Sequence, residues 1–214
     1  MQDIEIRSGN NPAAQSFVAD NERFRARISE YDNTGWQIVD IKLATDNLAG
    51  DDRQRLSLGL HHDKYELTYI VDDYNAIAGL RDSDETDGDA TTGRADSGGT
   101  ASTFALFAQY GYQLADKWDL SLGLRYEDWQ TDKGFLGATQ SPARSKRGWS
   151  PKLSIAWSAS DHTDVRYSVA RALRFPVIEE LYVNVVDGSG TSMISDPTLE
   201  PEDGLFHNLS IQSN

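Results

Sequence analysis

Four cations, Arg125, Lys152, Arg166 and Arg174, fall on the polar side of strand-length segments whose other side is apolar. Neighbouring residues of a strand point to opposite faces, so these charges share a wet face while their neighbours share a greasy one. Elsewhere the residues capable of covalent or metal chemistry are spaced against it. The chain has no cysteine, which removes disulfides and thiolate metal sites. Asp82 to Asp89 (DSDETDGD) invites a calcium loop, but position five is Thr86 and the glycine comes one residue late, so a solvated acidic loop is expected. Glu127 and Asp128 are adjacent on a strand and cannot face each other as a glycosidase pair. His61, His62 and His162 sit near expected turns and read as solvated. No G-x-S-x-G, P-loop, dinucleotide fingerprint or H-E-x-x-H occurs. No catalytic residue, metal site or cofactor is assigned, and the chain does not read as an enzyme.

The elements that must carry the four cations are legible from alternation. From Trp118 the apolar set is Trp118, Leu120, Leu122, Leu124 and Tyr126, interleaved with Asp119, Ser121, Gly123, Arg125 and Glu127. From Trp149 it is Trp149, Pro151, Leu153, Ile155 and Trp157, interleaved with Ser150, Lys152, Ser154, Ala156 and Ser158. Phe104 to Leu114 and Val165 to Leu173 read likewise. Each segment has one greasy face ending in aromatics, the pattern of a membrane-spanning β-barrel with lipid outside, polar groups inside and Trp and Tyr at the interfaces.

Upstream, Asn21 to Glu30 alternates Phe24, Ala26 and Ile28 with arginines, and Tyr31 to Gly35 is rich in turn formers. Trp36 to Thr45 is a strand with Val39, Ile41 and Leu43 on one face. Leu56, Leu58 and Leu60 share a face, but beyond His62 the apolar parity flips to Tyr65, Leu67, Tyr69 and Val71. This predicts one long strand bulged at His62-Asp63-Lys64, with a hairpin there as the alternative. Long connections are expected at Ala78–Ala101, at Thr131–Gly148 (basic at its end) and at Phe175–Asp203. Short turns at Ala115–Lys117 and Ser160–Thr163 alternate with them, as in outer-membrane barrels.

Bulk properties agree. The 34 Asp and Glu outnumber the 20 Lys and Arg, for a net charge of -14, which argues against nucleic acid as a partner. No apolar run reaches the roughly 20 residues of a spanning helix. Met1 to Asn11 has neither a basic region nor an apolar stretch and is no secretory signal. Gly204 to Gln212 reads as a strand under way at the chain's end. An internal fragment is therefore expected.

Five strings in order sharpen the fold class. Leu122 to Glu127 resembles the LGLRYD-type strand of TonB-dependent outer-membrane receptors. Trp149 to Ser154 resembles their WSPKLG-type strand, and Arg166 to Ala172 the strand that follows. Leu173 to Pro176 with Glu180 to Tyr182 is similar to the FRAP…ELY segment, and Asp196 to Glu202 to the NPNLKPE segment. The resemblance implies an all-β, antiparallel transmembrane barrel fragment, residues 1–214. About seven or eight strands would form an open curved sheet from a barrel of about 22 strands, with plug and C-terminal strands absent.

It also implies residence in the outer membrane of a Gram-negative bacterium, contact with outer-membrane lipid, coupling to the TonB complex through the missing plug, and uptake of a scarce nutrient. A small-molecule metal chelate, above all a ferric siderophore, is the implied cargo. Such cargo is often anionic, which makes Arg125, Lys152, Arg166 and Arg174 substrate-binding candidates. The competing reading is that each pairs with a carboxylate across the wall or against the plug. Phe175 to Tyr182 is expected to form a helical turn that scaffolds a loop. Haem is disfavoured, because Val177 to Ser195 holds no histidine to ligate it and the nearest, His207, lies beyond. The rival assignments are another outer-membrane barrel, porin or adhesin, and a soluble β-sandwich binding protein.

Overall fold

The computed structural model describes residues 3–8, 25–31, 33–75, 80–81, 96–186 and 192–213. Asp82–Asp89, the acidic loop of the calcium test, lies outside them. The strands in chain order are β1 (Asp3–Ser8), β2 (Arg25–Tyr31), β3 (Gly35–Thr45), β4 (Gln54–Asn75), β5 (Leu80–Arg81), β6 (Ser97–Ala115), β7 (Trp118–Leu136), β8 (Thr139–Gln140), β9 (Arg144–Ser160) and β10 (Thr163–Arg174). One helical turn, α1 (Ile178–Tyr182), follows, then β11 (Val185–Val186), β12 (Ser192–Met193) and β13 (Glu202–Ser213). The main sheet runs β1-β2-β4-β6-β7-β9-β10-β13, an open antiparallel sheet of eight positions with β3, β5 and β8 paired at its margins. Each principal strand neighbours the next along the sheet, and the two-residue turns at 116–117 and 161–162 oblige β6 to pair with β7 and β9 with β10.

Register fixes the faces. Leu58 pairs with Ala108, Ala108 with Leu124, Leu124 with Pro151. Further along, Leu153 pairs with Val169, and Val169 with His207. The apolar residues predicted to share a face do share it across the sheet. Among the described residues no second layer covers them: Leu122, Leu124 and Leu153 stay 44%, 45% and 41% exposed. Ile155, on the same parity, is half-buried. A β-sandwich would enclose these side chains, so the soluble rival fails here. The band is bounded by rings at both ends. Trp118 stacks on Trp157 with centroids 5.5 Å apart, and Tyr126 packs on Trp149 at 4.8 Å. Trp118 and Tyr126 lie about 27 Å apart along β7 at about 3.4 Å per residue. At a tilt of about 40° that projects to about 21 Å along the membrane normal, a little under the roughly 25 Å apolar band of an outer-membrane barrel. An apolar groove lined by Leu43, Leu58, Leu60, Leu106, Leu124 and Trp149 crosses this outer face.

Four expectations need correction. First, β4 has no bulge at His62: its ladders to β3 and β6 run through residues 54–69 without a shift. The apolar parity flips because the surroundings flip. Leu56, Leu58 and Leu60 face outward within the band, whereas above it Tyr65 and Leu67 face inward, and Leu67 is buried beneath α1. Second, Tyr31 to Gly35 does not reverse the chain. Both β2 and β3 run antiparallel to β4, at residues 70–75 and 56–66 respectively, so they form one interrupted strand. Asn33 takes a left-handed φ of 56° at the interruption, a conformation asparagine tolerates. Third, Thr131–Gly148 is mostly strand, since β7 reaches Leu136 and β9 starts at Arg144. Its alternation is masked because neither face meets lipid there. Fourth, Ser97 to Ala101 belongs to β6 rather than to the loop before it.

Candidate functional site

The inner face is identified by what packs on it. Ile178, Leu181 and Tyr182 of α1 are at most 1% exposed and cluster with Leu67, Trp129 and Val183. Leu67 and Trp129 have the parity opposite to Leu60 and Leu124 in their strands. The sheet therefore carries α1 on the side away from the apolar band, at the end with the long connections.

Glycine makes the seat for α1. A Cβ at Gly134 would fall 2.3 Å from Tyr182 Cζ, and one at Gly99 would fall 3.1 Å from the same ring. Polar anchors complete it. Tyr182 Oη donates to Thr131 Oγ1 at 3.3 Å and Tyr65 Oη to Glu179 Oε1 at 2.7 Å. Arg174 Nη2 donates to Glu180 Oε1 at 2.5 Å, and Val177 N to Glu180 Oε2 at 3.0 Å. Those two donors, Arg174 first, hold the Glu180 carboxyl below its ordinary value. The expected helical turn is seen, packed against the inner wall.

Below α1 the inner wall is polar. Near the short-turn end a polar concavity of about 580 Å³ is lined by Arg55, Gln109, Asp119, Ser121, Lys152 and Arg166, among others. The four candidate cations divide there. Arg125 Nε donates to Glu127 Oε1 at 2.8 Å, and Arg174 bonds both Glu180 and Glu202, so these two fit the carboxylate-pair reading. Lys152 and Arg166 line the concavity exposed, with no hydrogen bond or ion pair among the described residues. The nearby Arg55 bonds Asp119 at 2.7 Å.

Sequence reading missed two clusters. His61 is not solvated: Nδ1 lies 2.7 Å from Asp40 Oδ1 and Nε2 3.0 Å from Asp63 Oδ2. The missing signal was the β3–β4 register, which pairs Asp40 with His61. The second is the brace formed by the basic end of the supposed loop. Arg144 donates to the carbonyls of Pro197, Thr198 and Leu199 and to Glu200, while Lys146 Nζ lies 2.6 Å from Glu200 Oε2. Lys146, then Arg144, keep the Glu200 carboxyl below its ordinary value. His207 sits on the outer parity and bonds Tyr167 Oη at 2.7 Å, facing away from the lumen.

This wall, apolar and ring-bounded outside and polar inside, matches the family model described as TonB dependent receptor-like, beta-barrel, over residues 3–212. The chain belongs to the TonB-dependent receptors. They are outer-membrane proteins of Gram-negative bacteria, and membership places this one among receptors rather than enzymes. The chain is 25% identical over 133 residues to the ferrienterobactin receptor of Escherichia coli (strain K12), covering 62% of this chain and 16% of that receptor. In fold it is similar to the copper transporter OprC (TM-score 0.61, 16% identity), covering 89% of this chain and 29% of that one. It is also similar to a double mutant of the Serratia marcescens hemophore receptor HasR, solved with its hemophore HasA and heme (TM-score 0.56, 15% identity), covering 88% and 30%. The chain thus spans under a third of each of these receptors. The short turns mark the periplasmic end of this receptor's wall, and the long connections and α1 the extracellular end.

Proposed function

We propose that this chain forms part of the wall of a receptor that takes up an anionic metal chelate, with a ferric siderophore as the leading class. Lys152 and Arg166 lend the inner wall positive potential along the route. The observation that carries the reading is their state: two inward cations without an ion pair among the described residues, on a polar concavity whose lining also includes Asp46 and the Arg55–Asp119 pair, in a chain whose formal charge is -14. A low-dielectric wall focuses the field of such cations on passing anions. The likeness to the ferrienterobactin receptor supports iron as the metal. Coupling to TonB would run through a plug outside these residues.

The test is radioactive iron uptake by the full-length receptor in its own bacterium. Deleting the gene should abolish uptake from at least one ferric siderophore in a panel that includes ferric enterobactin, and the intact gene should restore it. Lys152→Glu with Arg166→Glu should lower that uptake about tenfold or more, since each charge contact is worth about 1 kcal/mol even in water. Unchanged uptake of every chelate after deletion would overturn the proposal. Unchanged uptake in the double variant would return the two cations to a structural role.

A further inference from the structure

We infer that the connection after β10 is not a mobile capture loop at its base: its described parts, 175–186 and 192–201, form a rigid neck, built into the inner wall at the extracellular mouth, past which cargo moves without displacing it. The inference goes beyond the uptake reading and rests on it only for the cargo-dependent arm of the test.

A helix of one turn has no stability of its own, because nucleation is unfavourable and no propagation follows. That α1 exists at all means the wall holds it. The holding surface is cut to shape. Glycine weakens a strand interior, yet β6 and β7 place Gly99 and Gly134 under the Tyr182 ring, where a side chain at Gly134 would collide with the ring and one at Gly99 would crowd it. Trp129 of β7 stacks on Phe175 with centroids 5.6 Å apart, closing the near end of the seat. Lifting α1 would expose Ile178, Leu181, Tyr182, Leu67 and Trp129 together, with no other core among the described residues to receive them.

Braces act on both ends and between them. The near end is tied through Glu179 to Tyr65 and through Glu180 to Arg174. The far end is tied through Glu200 and three carbonyls to Arg144 and Lys146. Between them Asp196 N donates to the Glu180 carbonyl at 2.9 Å, and Ser195 N donates to Asn184 Oδ1 at 2.8 Å. The anchors come from β4, β7, β9 and β10, so several strands would have to release at once for the base to swing outward. Lying on the inner side, the base takes up part of the lumen's cross-section and narrows what can enter.

The chain has no native cysteine, so single cysteines report cleanly. In the full-length receptor, with any cysteine outside these residues replaced, Leu181→Cys reports the buried side of the neck. Val177→Cys, 45% exposed on the same segment, is the control. A membrane-impermeant maleimide should label the Leu181 site about a hundredfold more slowly than the Val177 site in whole cells, as expected for a group reached only through local unfolding. Ferric enterobactin and ferric citrate, added under energised conditions, should leave the ratio unchanged. Gly134→Val, which drives a branched side chain into the Tyr182 ring, should raise Leu181 labelling about tenfold or more and leave Val177 labelling alone.

Fast labelling of Leu181→Cys in resting cells overturns the neck whatever the cargo proves to be. Labelling that appears only with a transported chelate overturns the neck while supporting uptake. If neither chelate is transported, the resting ratio and the Gly134→Val response still decide the neck, and only the uptake reading suffers. Should Leu181→Cys fail to assemble, Ile178→Cys, equally buried, takes its place under the same criteria.

Discussion

Leu122 and Ser121 are neighbours on β7 and face opposite solvents, lipid for Leu122 and water for Ser121. Leu122 is four residues from Trp118 and four from Tyr126, about 14 Å of strand from each ring, which puts it at the middle of the apolar band. Its side chain is 44% exposed on the outer face. Ser121 Oγ accepts a bond from Gln109 Nε2 at 3.2 Å on the polar inner face. Arginine at mid-bilayer on the lipid face of a barrel costs about 2–4 kcal/mol. On the wet inner face the charge stays hydrated and the cost is about 1 kcal/mol or less. Leu122→Arg should therefore lower the stability of the full-length receptor by at least about 1–3 kcal/mol more than Ser121→Arg, a factor of roughly 5–150 in the folded-to-unfolded ratio. Reversible urea unfolding in lipid vesicles, followed by tryptophan fluorescence, reads the difference. Equal costs, or a larger one for Ser121→Arg, would refute the assignment of faces.

Other consequences follow from single residues. Gly134→Ala should cost about 1–3 kcal/mol through overpacking against Tyr182, seen as faster hydrogen exchange confined to α1 and the facing parts of β6 and β7. Arg144→Ala removes a donor shared by Pro197, Thr198, Leu199 and Glu200, and should open 196–201 to protease while the band strands stay protected. Acid should loosen α1 as well. The Glu180 carboxyl is depressed in the folded chain, so its contribution is complete above the ordinary value of 4.5 and is lost as pH falls through the lower folded value. Protection of α1 should thus be flat from pH 7 to about 5 and decline below about 4.5. Arg174→Gln should flatten that decline, and a decline centred near pH 6 would point to another group.

Alternation in β6, β7, β9 and β10 was legible because lipid and water impose opposite demands on neighbouring residues, and nothing else disturbs the period. Above the band that contrast vanishes. Thr131, Asp132, Lys133 and Gly134 look like a loop, yet they continue β7, since water on one side and α1 on the other reward no simple pattern. The β4 parity flip was visible as a signal, but its meaning required knowing that α1 returns to cover Tyr65 and Leu67. Arg125 and Arg174 could be placed on the inner face from sequence. Their partners Glu127, Glu180 and Glu202 could not all be, since two of them depend on how the 175–201 connection folds back. His61 shows the same limit, because Asp40 reaches it only through cross-strand register.

A nitroxide scan of β7 from Trp118 to Tyr126 tests the central claim most directly, with one label per variant of the membrane-embedded full-length receptor. Collision with oxygen, which concentrates in lipid, should peak at 118, 120, 122, 124 and 126, and collision with a water-soluble nickel chelate should favour the odd positions between them. An unbroken two-residue period is the predicted result. Even positions shielded from both reagents would mean an enclosed apolar core, and the wall described above would not exist.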